Sequence, residues 1–70
     1  MLKVSYKPLW RLLFEREMTK TELRLKAHLT TNVIANMNKG KNVSLDTLVK
    51  ICETLECGLP DVIELVKTED

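Results

Sequence analysis

Seventy residues leave room for one domain, 1–70, around one small core. Two cysteines, Cys52 and Cys57, are too few for a disulfide framework. Their C-x-x-x-x-C spacing fits neither a redox pair nor a four-ligand zinc site, so they read as reduced, small hydrophobes. The net charge of +1 hides an asymmetry: residues 1–42 carry nine Lys/Arg against three Glu, and residues 43–70 carry two Lys against seven acids. Such a split produces one positive face even near overall neutrality.

In chain order, Leu2-Lys3-Val4-Ser5-Tyr6 alternates apolar and polar side chains, the period of a strand. Pro8 suits the first turn of a helix and holds Lys7 extended, so a first helix is expected from about Pro8 to Glu17. Leu9, Leu12 and Leu13 form its inward stripe, joined by Trp10 or Phe14. Arg11 interrupts this apolar segment and no small-residue cleavage site follows, so it is not expected to be a signal peptide. No apolar run approaches the ~18 residues of a membrane span.

Three further helix starts share one grammar. In Met18-Thr19-Lys20-Thr21-Glu22-Leu23, Thr19 caps, Glu22 returns the bond, and Met18 staples to Leu23. In Leu29-Thr30-Thr31-Asn32-Val33-Ile34, Thr30 caps and Leu29 staples to Ile34. In Val43-Ser44-Leu45-Asp46-Thr47-Leu48, Ser44 caps, Val43 staples to Leu48, and Asp46 faces the positive end of the helix dipole. Helix starts are therefore expected near Lys20, Thr31 and Leu45. The last of these helices buries Leu48, Ile51, Cys52 and Leu55 at helical spacing.

Gly58 and Pro60 break the chain, and Asp61 helps to cap a fifth helix from about Leu59, packed by Leu59, Val62 and Ile63. The expected core contains Leu13, Leu23, Leu29, Ile34, Met37, Leu48, Cys52 and Leu55. The ends admit two outcomes. Residues 63–67 pair with residues 2–6 as a short antiparallel ribbon, or the N-terminus frays and the last helix lengthens.

The stretch from Lys20 to Lys39, two short helices either side of Ala27-His28-Leu29, resembles the helix-turn-helix of phage repressors, Cro proteins and their small bacterial relatives, the xenobiotic-response-element type. The family's buried positions fall on Leu23, Ala27, Leu29, Ile34 and Met37, and its glycine after the recognition helix falls on Gly40. The resemblance covers roughly residues 6–66, with the motif at about 20–38. It implies an all-α, five-helix repressor-like domain, with or without the terminal ribbon. Two positions depart from the family pattern. Arg24 stands where the family has a small residue, so its stem must lie along the helix crossing. His28 stands where the family prefers Gly, at a turn of positive φ.

By the same resemblance, the third helix docks in the major groove of double-stranded DNA. The implied base readers are Thr31, Asn32 and Asn36: Asn addresses an adenine edge and Thr donates or accepts, while Val33 offers an apolar contact to a thymine methyl. Phosphates fall to Lys20, Lys39, Lys41 and the Thr30 helix start. Arg24 and Lys26 stay open between phosphate ligands and ordinary solvated charges. The expected function is a cytoplasmic bacterial or phage transcriptional regulator, a homodimer on a palindromic operator. The competing expectation is an adaptor that keeps the fold but binds another protein through an apolar patch near Trp10 or the fifth helix. No nucleophile–base pair, metal cluster or cofactor motif is visible, so no enzyme, metal, cofactor or small-molecule ligand is expected.

Overall fold

Helix starts follow the caps. The computed structural model describes residues 1–68. Its elements are β1 (Leu2–Ser5), α1 (Lys7–Glu15), α2 (Lys20–Lys26), α3 (Thr31–Asn38), α4 (Leu45–Leu55), one 3-10 turn (Leu59–Asp61) and β2 (Glu64–Lys67). Thr19 accepts from the Glu22 N–H at 3.0 Å, and Glu22 accepts from the Thr19 N–H at 3.2 Å, completing the capping box. Thr30 accepts from the Val33 N–H and Ser44 from the Thr47 N–H, each at 3.2 Å. The first helix begins one residue earlier than Pro8 implied. Lys7 is already helical, because the Tyr6 carbonyl accepts the first helical bond from Trp10 at 3.1 Å.

All four α-helices stop in the same way. Glu17, His28, Gly40 and Glu56 take left-handed φ of 55, 56, 73 and 52°. The next N–H then reaches back to the last turn: Met18 to Leu13, Leu29 to Arg24, Lys41 to Asn36 and Cys57 to Cys52, all at 2.9–3.0 Å. At the first two stops, the residue after the left-handed one is apolar and the following Thr caps the next helix. Glu17-Met18-Thr19 and His28-Leu29-Thr30 are thus one three-residue connection used twice. Only one of the four left-handed positions is glycine.

A left-handed L-residue costs roughly 1–2 kcal/mol, more than the roughly 0.5–1 kcal/mol of added chain entropy that glycine brings. His28→Gly is therefore expected to stabilise the domain by about half a kcal/mol, visible as a rise of a few degrees in thermal midpoint. A lowered midpoint would show that the His28 side chain makes a stabilising contact in the turn.

The fifth helix is corrected to the single 3-10 turn. Gly58 enters it extended, with its N–H bound by Asp61 Oδ2 at 3.1 Å, and Pro60 has no N–H to continue a helical ladder. The chain after Val62 is spent on the ribbon instead. β1 and β2 pair antiparallel, Leu2 opposite Lys67, Lys3 opposite Val66, Val4 opposite Leu65 and Ser5 opposite Glu64. Beyond the strand, the Thr68 N–H and hydroxyl both donate to the Met1 carbonyl at 3.0 and 3.3 Å. The domain is thus helical with a two-stranded closure.

Leu9, Leu23, Ile51 and Val62 are fully buried, joined by Leu13, Ala27, Leu29, Met37, Leu48, Leu55 and Tyr6. Each large side chain contributes roughly 1.5–3 kcal/mol of burial. Ile34 and Cys52, expected inside, are half-buried at the core's edge. On α1, Trp10 joins the core and Phe14 stays exposed. Tyr6 is buried although the expected core does not include it. Its hydroxyl donates to the Lys41 carbonyl at 2.7 Å, which ties the N-terminus to the loop after α3. Burial pushes its phenol pKa up, partly opposed by a hydrogen bond from the Val43 backbone.

Candidate nucleic-acid interface

α3 owes its orientation to three inward side chains. Met37 is buried, and Val33 and Ile34 pack half-buried against the core. At 100° per residue, the opposite face carries Thr31, Asn32, Ala35 and Asn38, all exposed. The predicted readers therefore divide. Thr31 and Asn32 stand fully outward. Asn36 lies one turn beyond Asn32 on the same side but is half-covered, and Val33 turns partly inward. Ala35 and Asn38 complete the outward face. Ala35 follows from the helical period alone, whereas Asn38, at the last helical position, was hidden in the sequence by its place at the helix end.

The Thr30 hydroxyl oxygen is committed to the Val33 N–H, which leaves its proton free to donate outward. Lys39 and Lys41 are exposed on the segment that leaves α3. Lys20 has a more particular setting. Its ammonium donates to Asn38 Oδ1 and sits 4.2 Å from the centre of the Trp10 ring. Trp10 lies in turn beside Tyr6, ring centres 6.4 Å apart. One chain of contacts thus joins α1, the start of α2, the end of α3 and the Lys41 loop. Spacing places Tyr6 and Trp10 four residues apart, but no signal in the sequence pairs them with Lys20 and Asn38.

His28 is exposed at its left-handed position, and Arg24 is half-buried as its place at the crossing requires. No group of three or more His, Cys, Asp or Glu suited to a metal ion occurs among the described residues. Away from α3, exposed Leu45, Val49 and Leu59 border an apolar groove of about 480 Å³ between α4 and the 3-10 turn. Both cysteines are free and line it. Burial, the neighbouring Cys52 thiol and Asp61 push the Cys57 thiol pKa up against the opposing Arg16 charge, so the reactive thiolate is disfavoured. No helix among the described residues is long and apolar enough to cross a membrane.

Two comparisons bear on this arrangement. The crystal structure of the transcriptional regulator VanUg, form II, is similar at a TM-score of 0.92 and 42% sequence identity, over 96% of this chain and 89% of that one. No curated protein sequence matches the chain. The family model for the Cro/C1-type helix-turn-helix DNA-binding domain matches residues 8–68. That span takes in α1 to β2, including the capped turn, the outward face of α3 and the lysines that follow it. The chain belongs to the family of Cro/C1-type helix-turn-helix DNA-binding domains.

Proposed function

We propose that this domain is a cytoplasmic transcriptional regulator of a bacterium or phage that reads an operator with α3 in the major groove of duplex DNA. The observation that carries the reading is the outward face of α3. It is largely polar and short in side-chain length, meets Lys20 at Asn38, and is followed in the chain by the exposed Lys39 and Lys41. Asn32 and Thr31 address base edges, with Asn36 reaching from the covered side. Val33 offers only what the core leaves uncovered, so Ala35 is the better placed apolar contact for a thymine methyl. Thr30 and the free N–H groups at the start of α3 hold one phosphate, and Lys20, Lys39 and Lys41 hold others.

One domain makes few contacts, so the operator is palindromic and the protein binds it as a homodimer. The apolar groove of α4 supports this pairing, since Leu45 and Val49 stand one turn apart there on a helix whose other exposed residues, Asp46, Lys50 and Glu53, are charged.

The same groove favours a second reading, an adaptor that docks another protein beside the 3-10 turn. Titration against random duplex DNA at two salt concentrations separates the two. The regulator's affinity collapses as salt rises, and the adaptor shows no binding even at low salt. Within that titration, Lys39→Ala and Lys41→Ala are each expected to lower the salt slope by roughly one unit and to weaken all sequences about equally. A changed sequence preference in either variant would make that lysine a base reader rather than a phosphate ligand.

A further inference from the structure

The ribbon that closes the two ends forms one wall of a second groove, about 490 Å³, whose other wall is the end of α3. Lys3 and Lys7 line it on the ribbon side, Asn38 and Gly40 on the motif side, and Trp10 lies between. Lys20 reaches into the same region, its ammonium held by Asn38 and the Trp10 ring. No acidic side chain lines this groove among the described residues. Glu15, Asp61 and Glu64 line a separate cleft. The basic surface that the motif begins at Lys39 and Lys41 therefore continues past Gly40 onto the N-terminal residues.

We propose that this groove, through Lys3, Lys7 and the clasped Lys20, holds backbone phosphates of the duplex beyond the base pairs read by α3. The proposal rests on the DNA-binding reading above and adds a longer footprint to it. Three features favour a polyanion over a small neutral ligand. The charges are spread along the groove rather than gathered at one point. The Lys20 ammonium is held in place by Asn38 and Trp10, so it meets a phosphate with little further loss of side-chain freedom. The groove is also continuous, through Asn38 and Gly40, with the segment carrying Lys39 and Lys41. A sequence reading confined to the motif misses it, because Lys3 shares a groove with Asn38 only when the chain ends pair, and Lys7 only when α1 packs on the core.

The test uses a duplex selected from a random library, made once as the bare core and once with flanks of several base pairs. Wild type and the double variant Lys3→Ala/Lys7→Ala are titrated with both over a range of salt. Both lysines are exposed, so the variant's thermal midpoint is expected to stay within a few degrees of wild type. On the flanked duplex the variant's salt slope is expected to fall by about two units, and its affinity to lie roughly tenfold below wild type at low salt, the gap closing as salt rises. On the bare core it is expected to match wild type, with sequence preference unchanged on both. Trp10, the chain's single tryptophan, gives a local readout. Its emission is expected to change with the flanked duplex and not with the core. A variant that binds the flanked duplex with the wild-type slope, or identical Trp10 traces for the two duplexes, overturns this proposal and leaves the reading by α3 intact. Wild type that binds neither duplex at low salt overturns the DNA-binding reading itself.

Discussion

Leu23→Ala is expected to remove about 2–5 kcal/mol of folding stability, whereas Leu25→Ala in the same short helix should cost less than about half a kcal/mol. The two leucines are two residues apart in α2. On a strand they would share a face; on a helix they lie about 200° apart. Leu23 is fully buried and Leu25 is 59% exposed, so only the first leaves a cavity when truncated. For a domain of this length the whole stability is about 4–10 kcal/mol, so the loss at Leu23 is a large fraction of it. Thermal melts of both variants test this. A fall of more than about ten degrees for Leu23→Ala, against a few degrees at most for Leu25→Ala, is the expected result. Equal shifts would contradict the helical register on which the orientation of α3 depends.

The second large effect concerns recognition rather than folding. Asn32→Ala is expected to cost about 1–3 kcal/mol of binding to the preferred duplex and far less on random DNA. Its side chain is exposed on the outward face of α3, so its removal leaves the fold intact. Asn36→Ala tests the same side of α3 one turn on. Asn36 is half-covered but makes no side-chain hydrogen bond among the described residues, so its replacement should lower discrimination with little change in stability. Paired binding curves on selected and random duplexes, with a melt for each variant, resolve the two contributions. If both variants keep full discrimination, α3 does not read bases through these amides.

Much of this architecture is legible in the sequence because its signals are local. A capping hydroxyl, its partner three residues on and an apolar staple lie within six residues. Starts near Lys20, Thr31 and Leu45 therefore follow from side-chain chemistry alone. The stops are harder. A glycine announces a left-handed residue at Gly40, but Glu17 and Glu56 adopt the same conformation with nothing in their chemistry to favour it. Tertiary contacts over-determine them: Met18 and Cys57, which follow, are drawn against the core. The fifth helix illustrates the opposite failure. Gly58, Pro60 and Asp61 mark a helix start correctly, but its continuation competes with strand pairing to residues near the start of the chain. No local signal ranks those two outcomes.

The candidate site divides along the same line. The outward residues of α3 follow from its period once Met37 is placed inside. Yet the depth of that inward turn, which half-covers Asn36 and Val33, depends on neighbouring helices. The clasp of Lys20 by Asn38 and Trp10 spans three helices and carries no periodic trace.

The central claim, that α3 selects a DNA sequence, is tested most directly by selection of duplexes from a random library with the intact protein, followed by titration of the enriched and random duplexes at one salt concentration. The account predicts enrichment of a two-fold symmetric site with half-sites about one helical turn apart, bound at least ~10³-fold more tightly than random DNA. No enriched sequence, with equal affinity for every duplex or none at low salt, would contradict it.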